Sequence, residues 1–332
     1  PYGWLIEPAR SGDSRVFAFR VDFDGYPGEV FFVHFDEDGV EAIDRMIRPG
    51  EVSAEGEMAW MPGSRTFCFI AEDHARVHVY AVPDVSPGGH GTGFALTPGD
   101  VAVDDFSFGS ESEPLAVLMS GLDHPDDVFL VRNLGKRARF ERLTRLNPQI
   151  DTWKIPQIRV YKWTSPDGTP VEGILELPPG YTPEDGPLPL VLELHGGPTS
   201  STKYCFRYWI YGRTLFAAQG WAMLSPNYRG STGYGDKFLT DLIGHKNDRD
   251  VADILSGVEA LIAEGIVDPE RMAVMGWSNG GYLTNCIITR DNRFKAASSG
   301  AGVFDTVMQW SIEDTPGHVI NYNRGLPWDQ EQ

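Results

Sequence analysis

The chain has 332 residues, enough for two domains and for sizeable apolar cores. Apolar residues make up 41%, aromatics 12% and charged residues 23%, a globular balance that excludes a disordered chain, a coiled coil and a collagen-like fibre. Lys plus Arg number 28 against 47 Asp plus Glu, and the net charge of −19 repels phosphate backbones, so nucleic acid is not an expected partner.

Up to about residue 150 the chain reads as strands. Short β-rich runs stand between Gly, Pro and Asp clusters, and no long helical periodicity appears. The runs are Val16 to Phe19, Val30 to Val33, Thr66 to Ile70, Val77 to Val82, Leu115 to Met119 and Val128 to Val131. They recur. Phe67-Cys68-Phe69-Ile70 matches Leu115-Ala116-Val117-Leu118 after 48 residues, and Val16-Phe17-Ala18-Phe19 stands 51 before the same point of the second unit. A period near fifty made only of strands predicts β-propeller blades of four strands each, about three of them in residues 1–150. Three blades do not close a ring, so blades are expected to be missing, or the edges to be covered by something else. A β-sandwich with coincidental spacing is the alternative. Gly88 to Gly93 departs from Gly-x-Gly-x-x-Gly and reads as an inter-strand loop.

After residue 150 strands alternate with helices. Val171 to Leu177, Leu190 to Leu194, Trp221 to Ser225, Met272 to Met275 and Lys295 to Ser299 read as strands. Asp250 to Ala263 is an amphipathic helix, with Val251, Ile254, Leu255, Val258, Leu261 and Ile262 on one face, and Gly280 to Thr289 is a second helix. Asp268-Pro269 reads as a helix or turn start. This alternation predicts a doubly wound, mostly parallel sheet.

Gly276-Trp277-Ser278-Asn279-Gly280 fits Gly-x-Ser-x-Gly between a strand and a helix, the context of a nucleophile elbow. Flanking glycines are needed because side chains there would clash, and the serine stands at the positive end of a helix. Ser278 is the expected nucleophile. His195-Gly196-Gly197-Pro198 follows the strand Leu190 to Leu194, where an HGG loop offers a backbone N–H to an oxyanion. The second donor is the N–H of Asn279. His195 precedes the serine and reads as a structural loop histidine.

This ordered set resembles the prolyl oligopeptidase family of serine peptidases. It comprises His195 to Pro198, Asn227 to Gly235, Asp250 and Asp253, Val267 to Arg271, and Gly276 to Tyr282. The loop at His195 is similar to the acylaminoacyl-peptidase and dipeptidyl-peptidase-like branches. The resemblance implies an α/β-hydrolase domain over 151–332, preceded by propeller blades over 1–150. It implies Ser278 as nucleophile, the N–H groups of Gly197 and Asn279 as the oxyanion hole, and short or N-blocked peptides as substrates. The paired-glutamate signature of the dipeptidyl branch has no place here. Between Ser278 and Gln332 there is too little chain for the units that carry the family's Asp and His, since each crossover takes roughly 30 residues. The hydrolase domain is therefore expected to be truncated before both, and His318 reads as a surface loop histidine.

An esterase of the same fold is the nearest alternative, and a non-catalytic propeller scaffold the rival from another class. Asp123 to Asp127 and Glu72-Asp73-His74 read as solvated turns, so neither metal nor cofactor is expected. Cys68, Cys205 and Cys286 lie far apart, which predicts a reducing, cytoplasmic setting. No apolar run approaches the roughly 20 residues of a membrane helix, so no membrane partner is expected. The chain opens on Pro1 without a signal-peptide pattern and reads as a piece of something longer; a homo-oligomer is left open.

Overall fold

Alternating apolar residues build the first half as three antiparallel meanders. The computed structural model describes residues 3–206 and 213–329. The first meander is β1 (Gly3–Arg10), β2 (Val16–Phe23), β3 (Glu29–Asp36) and β4 (Gly39–Arg45), paired in that order. The second is β5 (Ser53–Trp60), β6 (Phe67–Asp73), β7 (Arg76–Val82) and the two-residue β8 (Phe94–Ala95). The third is β9 (Ala102–Phe108), β10 (Leu115–Ser120), β11 (Asp127–Arg132) and β12 (Arg139–Arg142). One parallel pair, Val77 with Ala102, joins the second meander to the third.

The middle meander buries both faces. Phe67, Phe69 and Ala71 on β6 pack with Val16, Ala18, Val30 and Phe32 of the first. The intervening Cys68 and Ile70 pack with Val103, Phe106, Leu115 and Val117 of the third. A strand buried on both faces loses the polar alternation of a half-exposed one, hence the continuous run Phe-Cys-Phe-Ile-Ala. Each of these buried large side chains contributes about 1.5–3 kcal/mol relative to exposure.

The second half is one six-stranded sheet. It contains β13 (Gln157–Thr164), β14 (Pro170–Leu177), β15 (Leu188–Leu194), β16 (Ala222–Asn227), β17 (Val267–Trp277) and β18 (Phe294–Gly300). The order is β13-β14-β16-β15-β17-β18, with β16, β15, β17 and β18 parallel. The β13–β14 hairpin is antiparallel and joins β16 antiparallel, so the sheet is mixed at one end.

Helices lie on both faces. The helices described in this half are α1 (Arg213–Ala218), α2 (Asp236–Thr240), α3 (Arg249–Ala263), α4 (Asn279–Ile288), α5 (Thr306–Ile312) and α6 (Gly317–Asn323). Val251, Ile254, Val258 and Leu261 of α3 and Leu283 of α4 cover Leu190, Leu192, Leu224 and Val274. On the opposite face Ala217 of α1 covers Val191 and Met223. The apolar periodicity of α3 therefore reports a real buried face.

Three local expectations are corrected. Asp268-Pro269 starts no helix; it lies inside β17, where Asp268 accepts hydrogen bonds from the Glu270 N–H (2.9 Å) and Arg271 Nε (2.7 Å). His318 is not a surface loop residue, since it lies on α6 with its side chain 12% exposed. Asp127 is buried, accepting from Arg142, from Thr144 Oγ1 (2.6 Å) and from the Leu146 N–H (2.9 Å). β18 is an edge whose residues Lys295 to Ser299 are exposed, unusual for a strand in parallel pairing. Among the described residues no helix is long and apolar enough to cross a membrane.

Candidate active site

The site grows from the ends of β15 and β17. β17 stops at Trp277, α4 starts at Asn279, and Ser278 between them has φ 55° and ψ −120°. A non-glycine residue in that region stores roughly 1–3 kcal/mol of strain. Its surroundings hold it there: the Ser278 N–H donates to the Gly300 carbonyl at 2.9 Å, and the Tyr282 N–H donates to the Ser278 carbonyl at 3.0 Å. Ser278 is exposed, so its hydroxyl is open to a ligand.

The glycines around it are required by space. A Cβ on Gly276 would fall on the Gly280 backbone. One on Gly280 would fall on the Leu194 carbonyl at the end of β15, and one on Gly281 on the Gly300 carbonyl. This close approach of α4 to the strand ends lifts Ser278 clear of the sheet.

The HGG loop passes beside the serine. A Cβ on Gly196 would stand 3.4 Å from Ser278 Cβ and 4.0 Å from its Oγ. Gly197 has φ 110°, open to glycine and strained for other residues. The sequence-predicted residues Gly197, Ser278 and Asn279 thus lie in two adjoining segments.

His195 is turned to other work. Its ring stacks on Tyr228, with centroids 4.3 Å apart and planes 6° from parallel. Nδ1 is 2.7 Å from the Gly196 carbonyl and Nε2 is 3.0 Å from Ser231 Oγ. Burial pushes its pKa down to about 4, so the ring is neutral at pH 7. A neutral imidazole has one N–H, which the Gly196 carbonyl takes; Nε2 faces Ser231 Oγ, whose own proton goes to the Tyr228 carbonyl at 2.6 Å. Neither ring nitrogen is hydrogen bonded to Ser278. Of the other two histidines of this half, His318 Nδ1 is 3.1 Å from Asp24 Oδ2, and His245 Nδ1 is 3.9 Å from Asp248, past hydrogen-bond distance. Among the described residues, no side chain is hydrogen bonded to the Ser278 hydroxyl.

Sequence reasoning missed what supports these loops. Glu72, read as part of a solvated turn, is buried at the end of β6 and reaches the second half. It accepts from Lys203, from Thr232 and, at 2.9 Å, from Ser201 Oγ. Burial pushes its carboxyl up, but Lys203 and these donors outweigh that and hold it below the usual range. Thr199, next after Pro198, bonds Tyr322 Oη at 2.6 Å and accepts from the Gly25 N–H at 2.8 Å. Only the apolar strand preceding Glu72 hinted at burial there.

The two buried aspartates of α3 sit in different surroundings. Asp253 is fully buried and bonds Arg229 Nη2 (2.7 Å), Arg229 Nε (2.9 Å) and Ser165 Oγ (2.6 Å). Asp250 is equally buried, and burial raises its pKa to about 6.

The chain is similar to several known proteins. Residues 209–332 match the family model described as "Prolyl oligopeptidase family". The chain is 27% identical over 271 residues to the uncharacterized peptidase YuxL of Bacillus subtilis (strain 168), covering 79% of this chain and 38% of that protein. It is 38% identical over 131 residues to the acylamino-acid-releasing enzyme of Arabidopsis thaliana, covering 39% of this chain and 16% of that one. Its fold is similar to that of the Pyrococcus horikoshii acylaminoacyl peptidase, with a TM-score of 0.78 at 21% identity over 97% of this chain and 48% of that one. The chain spans less than half the length of each of these proteins.

Proposed function

From a chain whose residues 209–332 match the prolyl oligopeptidase family, we propose a serine peptidase that hydrolyses short or N-blocked peptides through an acyl-enzyme on Ser278. The observation that carries this reading is the strained Ser278 at the strand–helix junction, with the HGG loop beside its hydroxyl. The Ser278 oxygen attacks the substrate carbonyl carbon, and the N–H groups of Gly197 and Asn279 take the charge that develops on the carbonyl oxygen. The peptide C–N bond then breaks, the serine proton passes through a base to the leaving amine, and water releases the acyl group.

The base and its orienting acid belong to a segment beyond this chain in the same reading. The exposed edge strand β18 supports that, as do the exposed Phe304, Val307 and Ile312 that follow it. Residues 1–150 are then part of a β-propeller, its three meanders arranged as blades, and residues 151–332 the first part of an α/β-hydrolase domain. The mixed sheet, with the serine after its fifth strand in sequence, supports that assignment. The sparse cysteines favour a cytoplasmic setting.

Fluorophosphonate labelling tests the proposal. The 332-residue chain is compared with one extended through the rest of the hydrolase domain, and the modified peptide is mapped. Strong labelling at Ser278 in the extended chain is expected. Labelling elsewhere, or turnover that survives Ser278→Ala, would overturn it.

A further inference from the structure

Tyr228 is fully buried beneath the two segments that carry Gly197 and Asn279. Its hydroxyl donates to the His195 carbonyl at 2.8 Å and accepts from Asn279 Nδ2 at 3.2 Å. Its ring stacks on the His195 imidazole. We infer that Tyr228 is a positioning residue that fixes the Gly197 and Asn279 N–H groups relative to each other. This rests on the serine-peptidase reading and adds a residue to it.

The path to Asn279 is direct. The Tyr228 hydroxyl spends its one proton on the His195 carbonyl, so it faces Asn279 as an acceptor. That orients the Asn279 amide with Nδ2 toward Tyr228 and holds the first residue of α4, whose backbone N–H is the donor.

The path to Gly197 runs through one peptide plane. The Gly196 carbonyl and the Gly197 N–H belong to the same planar unit and point in opposite directions across it. His195 Nδ1–H grips that carbonyl at 2.7 Å, so the imidazole sets the direction of the Gly197 N–H. Tyr228 holds His195 twice, by the stacked ring and by the bond to its carbonyl. One buried phenol therefore supports both donors from behind.

Displacing a reacting group by about 1 Å costs on the order of a hundredfold in rate, so the contribution is legible in kinetics. The test uses the extended chain with N-acetylated aminoacyl p-nitroanilides and a fluorophosphonate probe. Tyr228→Phe keeps the ring stack and removes both hydrogen bonds. It is expected to lower kcat and the second-order labelling rate by about 10- to 100-fold, with KM within about threefold of the parent and the melting temperature nearly unchanged. Asn279→Ala cuts one of the same bonds from the other side and leaves the backbone N–H. Added to Tyr228→Phe it is expected to lower kcat little further, because the shared bond is already gone.

Parent kcat and labelling rate in Tyr228→Phe overturn the inference. So does a kcat loss matched by a rise in KM and a fall in melting temperature, which is the mark of general loosening. Should Tyr228→Phe not fold, Asn279→Ala alone decides: parent kcat and labelling rate there overturn the inference. The underlying reading fails separately, through activity that survives Ser278→Ala.

Discussion

Ser201 Oγ donates a 2.9 Å hydrogen bond to Glu72 Oε2, across 129 residues of sequence and between the two halves of the molecule. Lys203 and Thr232 bond the same carboxylate, and Lys203 Nζ also donates to Ser201 Oγ at 2.7 Å. Beside them the His74 N–H donates to the Gly233 carbonyl at 2.7 Å, and the Gly233 N–H donates to Ser53 Oγ at 2.8 Å. The strands of the first half thus hold the loops that follow Pro198 and Tyr228. Removing one member of a buried ion pair strands the other in a poorly solvated place. Glu72→Ala is expected to destabilise the chain by about 3–5 kcal/mol in urea unfolding. Glu72→Gln keeps an acceptor for the hydroxyls and should lose less. A Glu72→Ala chain as stable as the parent would contradict this.

The elbow glycines are predicted to be intolerant for reasons of space alone. Gly280→Ala drives a methyl into the Leu194 carbonyl, whose atoms belong to packed backbone. Its expected cost is at least about 3 kcal/mol, seen as a lower urea midpoint or no soluble protein. Gly12→Ala is the control. Nothing lies within 4 Å of its Cβ position, and its φ is not among the positive ones, so its effect should stay within about 0.5 kcal/mol.

Several of these features were legible in the sequence. The recurrence near fifty residues found the second strand of each meander, because β2, β6 and β10 are central and apolar. Strands with mixed polar composition escaped it: β4, β5 and β12 carry Glu, Asp and Arg where β6 carries Phe and Ile. The elbow was legible because its glycines answer to local geometry. Glu72 was not, because its burial depends on a lysine 131 residues away. His318 was misread for the same reason: Asp24, at the far end of the chain, holds its ring. Tyr228 stood inside a motif already noticed, but a phenol has no sequence signature that marks it as a support for two loops.

Asp250 predicts a pH dependence of stability. It is buried on α3, its pKa is raised to about 6 by burial, and Oδ2 has no hydrogen-bond partner among the described residues. The folded state therefore binds a proton more tightly than an ordinary carboxyl does. Between the ordinary value near 3.8 and about 6 the folded chain carries the extra proton, so this group's contribution to stability falls as pH rises. Asp250→Asn removes that loss. It should raise stability at pH 7.5 by roughly 1–2 kcal/mol, part of the gain being offset by the charge lost near the buried Lys246, and the gain should vanish near pH 4. His195 has the opposite sign. Its depressed pKa of about 4 means that stability falls as pH drops below about 6.5. The Asp250→Asn chain should therefore lose stability from pH 6.5 downward more steeply than the parent. Equal melting temperatures for the two chains from pH 4 to 8 would contradict the argument.

The last prediction concerns turnover by this chain alone. A serine hydroxyl is a weak nucleophile unless a base accepts its proton from about 3 Å away or through one water. None of the eight histidines is hydrogen bonded to Ser278. His34 faces Asp44, His74 bonds Asp73, and His78 bonds the Thr97 carbonyl. His90 and His124 bond the Gly91 and Pro125 carbonyls, and His245 faces Asp248. His195 is held by Gly196 and Ser231, and His318 by Asp24. The 332-residue chain is therefore expected to release little or no product from peptide p-nitroanilides. Oxyanion donors acting without a base leave about a thousandfold over water, which is very slow in absolute terms. Extension through the rest of the hydrolase domain should bring turnover that Ser278→Ala abolishes. Fast, Ser278-dependent turnover by the chain as it stands would place a base within it. His318→Asn would then be the first variant to measure, because His318 alone among these histidines lies on the segment that follows the elbow.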